Sequence, residues 1–162
     1  MGQKLKVIEA IKNDANQDST WFYSDIVKDH FFNPRNFLKD KKDMNKYDGY
    51  GKVDNVLCGD RMDFWIKVDR KNDKIVKCSW LTWGCTSAIS STSMLSEIVT
   101  KNGGMKIDDA LKIRPFDIVK RLGGLPKIKY HCSVLGDQAL RAAIYDYFRK
   151  SKQENRIKEE VN

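Results

Sequence analysis

The hydrophobic and polar positions of the chain change period partway along it. In RMDFWIKVD, residues 61–69, Met62, Phe64, Ile66 and Val68 alternate with Asp63, Trp65 and Lys67. That is the period of two of a half-buried strand. IVKCSWLTW, 75–83, reads as a second strand with Val76, Cys78, Trp80 and Thr82 on one face, and RKNDK at 70–74 is the hairpin turn between them. GKVDNVL at 51–57 supplies an earlier strand. Beyond Gly84 the spacing becomes helical. Ala88, Thr92, Leu95, Ile98 and Val99 form a stripe that Gly103 and Gly104 terminate. IDDALKI is a short helix, and FDIVKRL, following Pro115, is another that stops at Gly123–Gly124. A final helix from about Leu135 to Lys150 turns Ala139, Leu140, Ala143, Ile144, Tyr147 and Phe148 inward. Ahead of the strands, Ser24 caps DIVKDHFF and Asn33–Pro34 ends it. A polar loop runs from there to about Gly51. Residues 3–15 read as a short helix with Leu5, Ile8 and Ile11 on one side.

Three strands followed by helices imply an α+β fold: a three-stranded antiparallel sheet with helices packed on one face. The 162 residues fit one domain. The expected organisation is an extension over 1–22, a domain over 23–150 and a charged, frayed tail over 151–162. No stretch approaches the roughly 20 apolar residues of a membrane span, and the first twenty residues have no apolar core of a secretory signal. The expectation is a cytoplasmic protein. The net charge of +8 is spread along the chain, which reads as a solvated surface. No aromatic-rich basic stripe of the kind that binds single strands is evident, so nucleic acid is not an expected partner.

Candidate chemistry sits where the backbone changes direction. Cys58 lies in LCGD after the first strand, Cys85 lies in WGCTS where strand becomes helix, and Cys132 follows His131 just before the last helix. Gly59 and Gly84 beside them permit tight turns, and Asp60 is two residues past Cys58. Without a secretion signal the cysteines read as reduced thiols, hence metal or redox ligands. Thiolates suit zinc and iron–sulfur clusters, and imidazole suits zinc and iron. The spacing is not that of a zinc finger. Cys85 and Cys132, near helix N-termini, would be biased toward thiolate, good both as ligands and as acceptors of sulfur. Asp60 is a harder ligand, suited to a site that must release what it holds. Cys78, inside a strand, reads as a small buried hydrophobe, and His30, beside Phe31 and Phe32, as structural.

The stretches YSDIVKDHFFNPRN (23–36), CGDRMDFWIKV (58–68), WGCTSAISSTSMLSEIV (83–99), DDALKI (108–113) and LPKIKYHCSVLGDQALRAAIYDY (125–147) resemble, in order, the IscU family of iron–sulfur cluster scaffolds, including the N-terminal domain of NifU. The resemblance implies that Cys58, Asp60, Cys85, His131 and Cys132 hold iron, as a labile [2Fe-2S] cluster or as [4Fe-4S] in dimers, with zinc as an alternative occupant. It implies a cysteine desulfurase as sulfur donor, with Cys132 as sulfur acceptor, and iron–sulfur proteins as acceptors of the finished cluster. It ties Asp60 to cluster lability and Tyr23 to self-association as a homodimer. Hsp70/J-type chaperones, ferredoxin and a frataxin-like protein are further implied partners. The family's chaperone motif Leu-Pro-Pro-Val-Lys is altered here to Leu125-Pro126-Lys127-Ile128-Lys129, which weakens an extended Pro-rich recognition. The competing reading is a zinc-dependent sulfur acceptor of the SufU type. Those relatives carry an insertion between the second and third cysteine elements and lack the histidine before the last cysteine. This chain has His131 and no long insertion, so the scaffold reading is preferred. A carrier of this kind is not expected to be a turnover enzyme.

Overall fold

The computed structural model describes residues 23–56 and 59–158. The helix read at 3–15 therefore lies outside the described residues. The elements run α1 (Asp25–Phe32), β1 (Gly49–Asn55), β2 (Asp60–Asp69), β3 (Lys74–Trp83), α2 (Thr86–Thr100), β4 (Met105–Lys106), α3 (Ile107–Ala110), α4 (Pro115–Arg121) and α5 (Tyr130–Lys150). The strands form an antiparallel sheet in sequence order. The architecture is α+β, as expected, with one strand more than the alternation revealed. β4 pairs only Met105 with Ile75 and Lys106 with Lys74, too short to carry a period. Gly104, at φ +102, permits it: a Cβ there would lie 2.4 Å from the Ile75 carbonyl oxygen.

The inward face of β2 is the predicted one. Met62, Phe64, Ile66 and Val68 meet Leu95 and Val99 of α2 and Ala139, Leu140, Ala143, Ile144 and Phe148 of α5 in one buried core. Each large apolar side chain buried there contributes about 1.5–3 kcal/mol. On β3 the reading needs a correction. The register shifts between Lys67 and Val68, where Lys77 pairs with Lys67 but Ile75 with Val68. Val76 is the extra residue of this bulge and is turned out to solvent, while Ile75 is buried in its place.

α2 is enclosed nearly all round rather than along one stripe. Its small hydroxyl residues let neighbours approach and find backbone acceptors: Ser90 donates to the Val27 carbonyl at 3.0 Å and Ser96 to the Arg35 carbonyl at 3.1 Å. α1 is capped by Ser24, whose Oγ accepts from Val27 N–H at 3.1 Å. Its His30 is buried between Ser93 Oγ, 2.8 Å from Nδ1, and Glu97, 3.3 Å from Nε2, a structural role as read.

α5 is longer than its hydrophobic face suggested. It starts at Tyr130, so His131 and Cys132 occupy its first turn instead of preceding it. It lies along β1 and β2, and two glycines set how closely. A Cβ on Gly49 would fall 2.3 Å from the Ala143 carbonyl oxygen; on Gly51, 2.2 Å from the Ala139 carbonyl oxygen and 2.5 Å from Ala143 N. The expected fraying does not begin at Ser151. Arg156 holds both carboxylate oxygens of Asp73 at 3.0 and 2.8 Å, reaches Asp108 at 2.9 Å and lies 4.4 Å over the Phe148 ring.

Two outcomes are expected. Gly51→Ala should force α5 off the sheet, because the atoms it meets are backbone. A loss of about 1–3 kcal/mol, at roughly 2–4 °C of melting temperature per kcal/mol for a chain this size, is readable by thermal unfolding. Burial, followed by the charge of Arg35, pushes His30 below its ordinary 6.5, against the opposing pull of Glu97 and Asp29. The unfolded chain therefore takes up this proton more readily than the folded one. The stability His30 contributes is complete above pH 6.5 and is lost as pH falls below it. An NMR titration of the imidazole should give a midpoint under 6.5; a midpoint at or above that value would contradict the burial argument.

Candidate metal centre

Three chain junctions meet at one end of the sheet. Asp60 is the first residue of β2, Cys85 is the N-cap of α2 and His131 and Cys132 lie in the first turn of α5. The ligand atoms of Asp60, His131 and Cys132 lie within 4.8 Å of one another. Cys85 Sγ is 3.5 Å from Cys132 Sγ, and Cys132 Sγ is 3.5 Å from His131 Nε2. Donors on one tetrahedral ion stand roughly 3.3–3.8 Å apart, given metal–ligand lengths of about 2.0–2.3 Å. The donor types and these two separations fit zinc or iron.

Each side chain is aimed by its local backbone. His131 Nδ1 lies 2.9 Å from the Ile128 carbonyl oxygen. A carbonyl only accepts, so Nδ1 carries the proton and the lone pair of the neutral ring is on Nε2, facing Cys132. A Cβ on Gly84 would lie 3.2 Å from Asp60 Cγ and 3.3 Å from Oδ2, so glycine leaves the carboxylate its room. Gly59 takes φ +72 and donates its N–H to the Asn55 carbonyl at 2.8 Å. Cys58, the fifth expected ligand, lies outside the described residues.

The two thiols share a proton. The hydrogen bond from Cys132 is the largest influence on Cys85 and holds its pKa down, to about 6, against the cost of burial. The amides of Ala88 and Ser87 at the start of α2 and the charge of Lys129 act in the same direction. Cys132 is driven the other way, first by its hydrogen bond to Cys85, then by burial and by the charges of Cys85 and Asp60. Of the two, Cys85 is the one favoured as thiolate and Cys132 the one favoured as thiol.

The other sequence candidates fall elsewhere. Cys78 is buried in β3, its thiol 3.6 Å from the Ser96 carbonyl, and burial raises its pKa so that it stays a thiol. Tyr23 meets Ser87 Oγ at 3.2 Å, two residues beyond Cys85. Two contributors are not evident from the sequence. Lys129 reads only as part of an altered motif, although it stands two residues before His131 and its charge favours the Cys85 thiolate. Gly84 reads as a turn residue, whereas in the fold it is also the space for Asp60.

Residues 22–154 match the family model described as the NifU-like N terminal domain. The chain is 47% identical over 137 residues to iron–sulfur cluster assembly scaffold protein IscU 1 of Archaeoglobus fulgidus, covering 85% of this chain and 84% of that protein. It is 43% identical over 129 residues to nitrogen fixation protein NifU of Trichormus azollae, covering 78% of this chain and 42% of that longer protein. Among solved structures, a scaffold described for the SUF system of Fervidobacterium islandicum covers 75% of this chain and is itself covered to 96%, with TM-score 0.58 at 18% identity. The N-terminal part of a NifU-like protein from Brucella abortus gives TM-score 0.51 at 16% identity, covering 83% of this chain and 95% of that one. These two likenesses are of fold alone. The match across residues 22–154, together with the archaeal relative covered over most of its length, shows that the chain belongs to the family of NifU-like N-terminal domains, which includes IscU.

Proposed function

We propose that the chain is a scaffold on which an iron–sulfur cluster is assembled and from which it is passed on. The observation that carries this is the meeting of Asp60, Cys85, His131 and Cys132 at one end of the sheet, at ligand spacing. Cys58 completes the proposed set. The cluster is cargo, [2Fe-2S] in the first instance and [4Fe-4S] where two copies associate. Zinc fits the same donors and is the proposed occupant in its absence.

Sulfur is delivered as a persulfide on a cysteine desulfurase. We place its acceptance on Cys132, whose Sγ lies 3.5 Å from both the Cys85 sulfur and His131 Nε2. Either can take the proton as Cys132 attacks the outer sulfur of the donor. A new S–S bond forms on Cys132, the donor's S–S bond breaks and the donor cysteine leaves as thiolate. Converting the bound sulfane sulfur to sulfide takes two electrons, which a ferredoxin-type protein would supply. Asp60 gives iron an oxygen ligand weaker toward it than a thiolate, which favours release to acceptor proteins. The proposed partners are therefore the desulfurase, an electron donor and iron–sulfur acceptors, with a frataxin-like protein and a second copy of the chain as further candidates. Chaperone recognition at Leu125–Lys129 has an exposed Ile128, 66% accessible, beside a buried Leu125. No helix among the described residues is long and apolar enough to cross a membrane, and a cytoplasmic location is part of the proposal. The chain acts as a carrier and is regenerated when the cluster leaves.

Anaerobic incubation with iron, cysteine and a desulfurase should give visible absorption, with iron and acid-labile sulfide in near-equal amounts. Protein that stays colourless and keeps its zinc would overturn the scaffold reading. Cys132→Ser should abolish both persulfide loading and cluster formation; persulfide retained on that variant would move sulfur acceptance to Cys85 or Cys58. Asp60→Ala should lengthen the lifetime of the assembled cluster, measured as slower transfer to an apo-ferredoxin. Chelation of the metal should lower the melting temperature by roughly 10 °C, because a ligand at about a thousand times its dissociation constant contributes about 4 kcal/mol.

A further inference from the structure

The outward face of the sheet carries a chain of side chains that the proposed chemistry does not use. Asp63, on β2, is only 2% exposed although it points away from the helices. A buried carboxylate is costly unless paired, and this one has three hydrogen bonds. Arg61 Nε lies 3.1 Å from Oδ2 and Arg61 Nη2 3.2 Å from Oδ1, while the Tyr50 hydroxyl donates to Oδ1 at 2.5 Å. Tyr50 stacks on Trp65, with ring centroids 5.1 Å apart. Burial, then its bond to Asp63, pushes the Tyr50 phenol up to about 12, so it remains a donor. The Arg61 guanidinium lies 5.0 Å from the centroid of Trp83, its direct cross-strand partner. Trp83 is 51% exposed. On the same peptide, Thr82 Oγ1 donates to the Arg61 carbonyl at 2.8 Å.

What this chain joins is the point. Arg61 follows Asp60, and Trp83 precedes Gly84 and Cys85. The peptides carrying an oxygen ligand and a thiol ligand are thus pinned to each other on the outward face, and the pin is anchored by the buried Asp63 through to β1.

We propose that Tyr50, Asp63, Arg61 and Trp83 are positioning residues for the metal centre, setting the distance between Asp60 and Cys85 and thereby how firmly an ion or cluster is held. This rests on the reading of that end of the sheet as a metal site. A planar guanidinium is needed because it must grip a carboxylate with one edge while its face lies on an indole. A lysine can do one or the other. Outer partners of metal ligands are worth about 10–100-fold in affinity.

The test uses the full chain loaded with Co²⁺, whose visible bands report ligand number and geometry, and measures release to a chelator. Arg61→Leu and Arg61→Lys should both shift the cobalt bands and speed release by about tenfold or more, and Tyr50→Phe, which removes one hydroxyl, should give a smaller shift in the same direction. Arg156→Ala, which disrupts a cluster at the opposite end of the hairpin, is the control for general destabilisation: it should lower the melting temperature while leaving bands and release rate unchanged. Wild-type bands and release in the Arg61 variants, or in Tyr50→Phe where the Arg61 variants do not fold, would overturn the proposal and leave the metal centre standing. A release rate that tracks melting temperature across all variants, Arg156→Ala included, would also overturn it. Wild-type protein that binds no cobalt would overturn the metal centre itself and the brace with it.

Discussion

The contact on which the rest depends is the approach of α5 to β1 with no side chain between them. At Gly49 and Gly51 the strand backbone lies so close to Ala139 and Ala143 that a single added carbon would overlap helix backbone atoms. Side chains can repack around a misfit; two backbones cannot. The contact therefore fixes both the height of the helix above the sheet and its position along the strands. Tyr50 N–H donates to Asp146 of the helix at 2.9 Å beside it. With the middle of α5 located this way, its first turn has no freedom to choose where His131 and Cys132 go. They arrive over the start of β2 and the cap of α2 because a rigid rod is clamped in the middle. At the far end, Arg156 ties the hairpin turn at Asp73, α3 at Asp108 and the Phe148 ring of α5 together.

The centre that results carries two opposed features. Its thiols are close enough to share a proton, which favours the thiolate on Cys85 over that on Cys132. That suits a nucleophile awaiting sulfur and a ligand awaiting iron. As proposed ligands, the half-buried Asp60 and His131 would offer weaker, more exchangeable coordination to iron than thiolate does. A resident structural metal would be better served by four thiolates. The mixture makes sense for a metal that must leave.

Much of this was legible in the chain. The alternation of Met62, Phe64, Ile66 and Val68 named the sheet and its inward face, and the change of period after Gly84 placed the junction at Cys85. The junction residues Asp60, Cys85, His131 and Cys132 were readable because glycine and histidine beside cysteine are poor choices for a plain core. The misses have a common physical origin: each depends on a partner distant in sequence. Val76 and Ile75 exchanged faces because of a register shift against Lys67 and Val68, and a bulge leaves no mark on one strand alone. Gly49 and Gly51 fall at the end of the polar loop in the sequence, with no sign of close packing, because the helix they receive lies some ninety residues on. α5 began five residues early because the first turn faces the metal centre, where hydrophobic periodicity has nothing to report. Arg156 belonged to a charged tail until Asp73 and Asp108 were brought beneath it.

Asp63 is the most instructive of these. An acidic residue at an alternating position on a strand is read as pointing to water, and that rule holds when the outward face is open. Here the face is covered by its own aromatic residues, Tyr50 and Trp65, so the carboxylate ends up among rings with a guanidinium as counter-ion. Replacing such a buried pair with apolar residues commonly costs no stability, so stability alone does not account for its use. Its location does: it sits three residues along β2 from Asp60 and holds Arg61, the residue next to that ligand. A weakly held cargo requires ligands that are individually exchangeable, yet placed reproducibly enough to be refilled. The strand ends supply that stiffness and the choice of donor atoms supplies the lability. The two are kept on opposite faces of the same peptides, so that neither has to be compromised for the other.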